Sequence, residues 1–163
     1  MSFDRNSYET PQWLFDEYDK LCEFTWDLAC TVDNAKCPQG IVESSLETSW
    51  HRLTPHRWLW LNPPYNPLKP WIIKAQQEAR AGAKIVALVP LPTITTAYFD
   101  PSLVCRIEVI KGRISFERNG VPHHGNDSTH CLLFYDIERV QPLRGPILNF
   151  LDAKKTELEW ILK

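Results

Sequence analysis

Glycine is scarce in this chain: there are 6 in 163 residues, and none between Asp27 and Pro38. That segment therefore has no glycine-rich turn of the kind that lets backbone approach a ligand closely. The five cysteines (Cys22, Cys30, Cys37, Cys105, Cys131) form no C-x-x-C pair, which removes the common zinc and redox templates. Cys30 and Cys37 with His51 or His56 match no standard ligand spacing either, so the expectation is reduced core or loop thiols and no metal. A net charge of −2 gives no global basic field, and any nucleic-acid contact must come from a local patch. The longest apolar runs, such as Ile85 to Leu91, are far too short to span a bilayer, and the first residues lack the basic and apolar regions of a signal peptide. These absences point away from a membrane and toward an intracellular, cytoplasmic protein. There are no internal repeats, no low-complexity tract and no interdomain linker.

What is present suits a single globular domain over 1–163: 44% hydrophobic residues, seven Trp and seven Phe. The chain is organised around Trp58-Leu59-Trp60-Leu61-Asn62-Pro63-Pro64-Tyr65. Residues 58 to 61 carry no polar side chain on either face, as expected of a central strand covered on both sides. The two prolines then fix their own φ and push Asn62 and Pro63 out of the helical region, so the strand opens into a stiff loop. In open α/β sheets ligands bind at the carboxyl ends of strands, where such a loop presents acceptors and a ring in fixed positions.

That arrangement suits one chemistry. An exocyclic amine on a nucleobase is conjugated with its ring and is a poor nucleophile. Two acceptors aimed at its hydrogens, the Asn62 side-chain oxygen and the Pro63 carbonyl, favour the tetrahedral nitrogen that develops as it attacks a methyl donor. Pro64 keeps the loop stiff and Tyr65 stacks on the base. A base within a duplex cannot reach such a loop and must be flipped out or already unpaired. The competing reading is a stiff turn after a strand and nothing more.

Asn-Pro-Pro-Tyr after a hydrophobic strand resembles the catalytic motif of S-adenosylmethionine-dependent amino methyltransferases. The wider pattern, Glu9-Thr10-Pro11, Trp26-Asp27-Leu28-Ala29, Asn34-Ala35-Lys36-Cys37 and Gly112-Arg113-Ile114-Ser115-Phe116, is similar to the phage-type, Dam-like DNA N6-adenine methyltransferases of phages and prophages. The resemblance runs from Glu9 to Tyr135 and implies a Rossmann-like class I methyltransferase sheet of α/β class. It also implies S-adenosylmethionine as methyl donor, DNA as partner, no metal, and a setting in a bacterial host's cytoplasm such as restriction-modification. On this resemblance Glu9, Thr10 and Pro11 contact the methionine end of the donor, with a capping turn as the competing reading; Asp27 accepts from its ammonium or else caps the strand end, and Ala29, Cys30 and Asn34 stand where the family's glycine-rich turn would be. The missing glycines are a departure from the family pattern.

Taken in order, Thr10 reads as an N-cap and Pro11 as the first residue of a helix with Leu14, Tyr18 and Leu21 on one face. Asn6, Ser7 and Tyr8 are placed to fold over a ligand. Phe24 to Ala29 reads as the first strand. Residues 31 to 56 are too few for two complete crossover units, so the half of the sheet that grips the donor is expected to be abbreviated. Asp33, Glu43 and Glu47 are candidates for the ribose hydroxyls. A helix from Lys69 to about Ala81 stops at Gly82, with Ile72, Ala75 and Ala79 as its apolar stripe. Lys84 to Pro90 is a strand parallel to 58–61. Thr93, Thr95 and Thr96 either bind phosphate or cap a short turn.

Val104 to Ile110 and Ile114 to Phe116 read as strands joined by Lys111-Gly112-Arg113, followed by a long loop to Ser128 and a strand from Thr129 to Tyr135. Between Arg106 and His124 four basic residues (Arg106, Lys111, Arg113, Arg118) stand against two acidic ones, a local excess of +2. With His123 and His124 this is the best nucleic-acid face in the sequence, suited to positioning DNA more than to reading it; a solvated hairpin is the competing reading. The two histidines lack an acidic neighbour that would make them metal ligands. Ile147 to Leu162 reads as an amphipathic helix that packs on the sheet or on a second subunit of a homodimer. The leading reading is methyl transfer to adenine N6 in DNA. Cytosine N4, RNA adenine and a protein glutamine amide are alternative acceptors, and a binding module without catalysis is the alternative of another class.

Overall fold

The computed structural model describes residues 8–141 and 144–163; the expected contribution of Asn6 and Ser7 lies outside them. In chain order the elements are α1 (Gln12–Cys22), β1 (Trp26–Asp27), β2 (Gln39–Gly40), β3 (Trp58–Leu61), α2 (Lys69–Arg80), β4 (Lys84–Pro90), β5 (Val104–Lys111), β6 (Glu117–Arg118), β7 (Val121–Pro122), β8 (His130–Tyr135), β9 (Ile147–Asp152) and α3 (Ala153–Ile161), with short 3-10 turns between. Seven strands form one sheet in the order β2-β1-β3-β4-β8-β5-β9, and β6 with β7 makes a separate hairpin. Six of the seven run in one direction, and β8 lies antiparallel between β4 and β5. The protein is thus a mixed α/β, mostly parallel sheet, compatible with a methyltransferase-like fold.

Both faces of the centre are covered, which is why β3 and β4 read as unbroken apolar runs. On one face Leu59, Leu61, Ile85, Ala87 and Val89 meet Ile72, Ala75 and Ala79 of α2. On the other, Trp60, Val86 and Leu88 meet Trp13, Leu14, Phe15 and Tyr18 of α1. Each of these large apolar side chains contributes about 1.5–3 kcal/mol by leaving water. As the spacing predicts, β3 and β4 are parallel, paired from Trp58↔Lys84 to Leu61↔Ala87. Helix α2 ends before Gly82, whose φ of 103° only glycine adopts without strain.

The chain leaves β1 for β2 on one side and returns to β3 on the other side of β1. This reversal of winding opens a crevice outside the carboxyl ends of β1 and β3, the place where open α/β sheets take their ligands. The connection 28–38 holds no helix, and β1 and β2 are two residues each.

Several elements differ from expectation. The first strand is confined to Trp26–Asp27 within the expected 24–29. Helix α1 starts one residue after Pro11 and has no side-chain cap from Thr10; the Glu117 carboxylate, distant in sequence, accepts the Gln12 N–H instead at 3.0 Å. Leu21 faces solvent, and Trp13 and Phe15 are buried in its place. Ile114 to Phe116 is not a strand. The loop beyond it contains the β6–β7 hairpin, turned by Asn119 (φ 52°) and Gly120 (φ 73°), an Asn-Gly pair suited to that turn.

At the other end, Ile147–Asp152 is a strand, and only Ala153–Ile161 is helical. Apolar residues at 147, 148, 150 and 151 satisfy helical spacing, but pairing in register from Arg106↔Ile147 to Lys111↔Asp152 satisfies the backbone groups along the margin of β5. Asp152 then caps α3 by accepting the Lys155 N–H at 3.1 Å. Thr95 and Thr96 close their own turn through bonds to the carbonyls of Pro92 and Thr93. Among the described residues no helix is long and apolar enough to cross a membrane.

Candidate active site

The crevice is a cavity of about 360 Å³. Asn62, Pro63, Pro64 and Tyr65 line one part of it, and Asp27, Ala29, Cys30 and Asn34 line another, with Glu9 and Thr10 beside them. The fold therefore brings together residues from four separate stretches of sequence. Pro11 is buried at the start of α1 and is not among the lining residues. Of the acidic candidates for ribose, Glu47 lines the cavity and Asp33 and Glu43 do not.

At the β3 end, the Asn62 amide is oriented by its surroundings. Its Nδ2 donates to the Tyr8 carbonyl at 3.3 Å, and its Oδ1 receives the Tyr65 hydroxyl at a long 3.4 Å. That hydroxyl lies nearer the Leu88 carbonyl of β4, at 3.2 Å. Tyr65 is thus anchored by its tip, its ionisation pushed well above the ordinary range by burial, and its ring is fixed at the cavity wall. Three more rings complete an aromatic corner. His130 lies 5.7 Å from Tyr65, and Phe116 approaches Tyr65 edge-on at 6.2 Å and stacks on Tyr8 at 5.6 Å. Burial drives the His130 pKa down to about 4, so the ring is neutral near pH 7.

At the β1 end, Asp27 is buried. Its carboxylate accepts the Ala29 N–H at 3.2 Å and the Lys36 N–H at 3.0 Å. Burial raises its pKa to about 6 against the pull of those two bonds, leaving a carboxylate charged at neutral pH in a desolvated site. Asn34 closes the neighbouring turn by accepting the Thr31 N–H at 2.7 Å. The close approach that a glycine-rich turn would provide is made from the next strand: a Cβ on Gly40 would stand 2.4 Å from the Cys30 sulfur. The Cys30 thiol is itself raised to about 11 by burial and stays protonated.

The basic residues fall into two groups. Arg106 lies toward the far end of β5, bound to Glu108 at 2.6 Å and packed over the Phe134 ring, away from the crevice edge. Lys111 ends β5 at that edge, and Lys111, Arg113, Arg118 and His124 are exposed. Arg113 pairs loosely with Asp127 at 3.7 Å, and His124 faces the Ser115 hydroxyl at 3.2 Å. His123 is half-buried with its ring edge on Tyr8, 6.0 Å away. Glu9 and Phe116, which flank this hairpin, line the cavity, so the hairpin stands at its rim.

Sequence reasoning assigned no role to Phe116, His130 or Lys36. His130 had a legible signal: it is the one basic residue in an apolar strand, and because β8 runs antiparallel, the strand's first residue comes to the ligand edge. Lys36 had none, since its backbone bond to Asp27 depends on the path of a loop.

A family model described as DNA N-6-adenine-methyltransferase (Dam) matches residues 2–158. Among curated proteins, the DNA N-6-adenine-methyltransferase of Haemophilus phage HP1 is 25% identical over 142 residues, covering 82% of this chain and 80% of its own. No solved structure gives a significant match.

Proposed function

From the premise that this chain belongs to the DNA N-6-adenine-methyltransferase (Dam) family, we propose that it transfers a methyl group from S-adenosylmethionine to N6 of an adenine in DNA. The observation that carries this reading is a single cavity bounded by Asp27 at the end of β1 and Asn62–Tyr65 beyond the end of β3.

The cavity's own chemistry fits the donor. A zwitterionic amino-acid end needs a buried acceptor for its ammonium, and Asp27 is a carboxylate already held by two backbone N–H groups. Glu47 is positioned for hydroxyl groups, and Ile41, Val42 and Trp71 offer apolar surface for a purine. Thr10 and Glu9 close the methionine side. Bound there, the sulfonium supplies an electrophilic methyl group.

The remaining work falls to the loop. The target adenine, flipped out of the duplex, stacks on Tyr65, and the corner formed with Phe116 and His130 excludes water from its edge. Asn62 Oδ1 and the Pro63 carbonyl take the two hydrogens of the amine and draw its lone pair out of conjugation. These dipoles are in place before reaction, so they favour the developing positive nitrogen more than the planar ground state. The methylated nitrogen is itself acidic, and no strong base is needed to release its proton. Lys111, Arg113, Arg118, His123 and His124 hold the DNA backbone at the rim, contributing position more than sequence preference.

Because the rim residues contribute position more than sequence preference, the expected specificity is a short, relaxed target or one shared by two copies of the chain. The test is incorporation of labelled methyl from the donor into unmethylated DNA, RNA and protein, by wild type and Asn62→Ala. Label in DNA that disappears in the variant supports the reading. Label in RNA or protein alone, or equal label from both proteins, defeats it.

A further inference from the structure

We infer that Glu117 is a positioning residue for methyl transfer, acting through the segment 8–12 on the Asn62 amide. The inference rests on the proposed reaction for its meaning but not for its geometry. Glu117 grips the segment twice. Its backbone exchanges two 2.9 Å hydrogen bonds with Glu9, and its carboxylate accepts the Gln12 N–H at the start of α1, at 3.0 Å. The next turn of the hairpin adds a third tie, from the Asn119 N–H to the Glu9 carboxylate at 3.1 Å. Lys36 stands 3.9 Å from the other Glu117 oxygen and donates to Gln12 at 3.0 Å, so the carboxylate is held from the far side as well.

Tyr8 is the end of this clamped segment. Its ring stacks on Phe116 with 16° between the planes and meets His123 edge-on, so the hairpin's flanks hold it on two sides. Its carbonyl accepts from Asn62 Nδ2. A primary amide has two orientations differing by a half turn, with oxygen and nitrogen exchanged. A carbonyl can accept only from the nitrogen, so Tyr8 selects the orientation in which Oδ1 remains the acceptor. Methyl transfer needs that acceptor; the reversed amide would point a donor at an amine already carrying two hydrogens. Glu117 is not among the residues lining the cavity. Its effect on the Asn62 amide passes through the segment, while any effect through Lys36 would fall on Asp27 and so on the donor's KM; misplacement of a reacting group by about 1 Å costs on the order of 10² in rate.

The test compares E117A with E117Q, whose amide oxygen still accepts the Gln12 N–H. The readouts are the Asn62 side-chain amide signals in ¹⁵N-labelled protein, assigned by their loss in Asn62→Asp, the thermal midpoint, and labelled methyl transfer to DNA. The expected result for E117A is a moved or broadened Asn62 pair and a kcat lowered about tenfold or more, with KM for the donor within about threefold. E117Q should keep both the signals and the rate. Should E117A not fold, E117D, one methylene short of Gln12, takes its place. An unmoved Asn62 pair in a folded variant overturns the inference whatever the activity, and so does a moved pair with unchanged kcat. If wild type transfers no methyl at all, the proposed reaction falls, and the amide signals alone decide whether Glu117 positions Asn62.

Discussion

Asp27 lies directly opposite Trp60 across the parallel β1–β3 ladder, so Asn62, two residues beyond Trp60, projects past the end of β1 into the cavity that Asp27 lines. One backbone register thereby fixes the spacing between the Asp27 carboxylate and the Asn62 amide. A shift by a single residue would turn Trp60 and Asn62 together to the other face, and the buried indole of Trp60 holds against that.

Asn62→Ala should lower kcat on DNA by about 10²–10³-fold, the range seen when one preorganised hydrogen-bonding group is lost from a transition state. Donor affinity should change by less than about threefold, because the proposed reaction sets Asn62 against the substrate amine. Steady-state kinetics with isothermal calorimetry on the donor checks both; an equal loss in the two would place Asn62 in the donor site instead.

Donor binding should depend on the ionisation of Asp27. Its pKa, raised to about 6 by burial, means the carboxylate is charged above pH 6 and neutral below. Affinity should therefore fall about tenfold per pH unit below 6, a range in which the donor's own ammonium stays protonated. In Asp27→Asn the dependence should vanish along with most of the affinity. Calorimetry between pH 5 and 8 would read both effects.

His130 should make the folded state acid-labile. Its folded pKa of about 4 lies below the unfolded value, so the unfolded chain binds the proton more readily. Stability is full above pH about 6.5 and declines as pH falls toward 4, by at most ~3 kcal/mol. Asp27 works the other way in part of this window, since its raised pKa favours the folded state as pH drops from 6 toward 3.8. Urea melts of His130→Asn at several pH values should show a flatter acid limb; the same limb as wild type would argue that His130 is not the controlling group.

Gly40→Ala should destabilise the protein by about 1–3 kcal/mol, because the new methyl would meet the Cys30 sulfur at 2.4 Å. Adding Cys30→Ala should recover much of that loss. A double-mutant cycle from denaturation midpoints measures the coupling, and additive effects would contradict the contact.

Replacing Lys111, Arg113 and Arg118 by Ala should raise KM for DNA with little change in kcat, and flatten its salt dependence by about one unit of log–log slope for each phosphate contact removed. Arg106→Ala, with its guanidinium spent on Glu108, should leave the salt slope unchanged. A loss of slope for Arg106 equal to the others would place it on the DNA face.

Central elements were legible because their signals are local. An apolar run between breakers gave β3 and β4, and a stripe at 72, 75 and 79 with Gly82 gave α2. The errors lie where a local preference was settled by a distant partner. Ile147-Leu148-Asn149-Phe150-Leu151 suits a helix by spacing but adds a strand to β5. Thr10 looks like a cap, yet the Gln12 N–H goes to Glu117. The aromatic corner was illegible for the same reason, since Tyr8, Tyr65, Phe116 and His130 are spread over more than a hundred positions and meet only after the sheet is assembled.

The sequence by itself determined the stiff acceptor-bearing loop, because proline's fixed φ and missing N–H act wherever the residue sits. It determined the two-sided burial of β3 and β4 as well, since between Lys84 and Pro90 every side chain is apolar and in β3 only the indole N–H groups are polar. Tertiary structure alone decided what faces that loop: the switch in winding between β1 and β3 set Asp27 beside it, and a carbonyl from residue 8 chose which way the Asn62 amide points. Those relationships come from pairing and packing across long separations, where the free energy of an assembled sheet outweighs any preference a short stretch of chain carries.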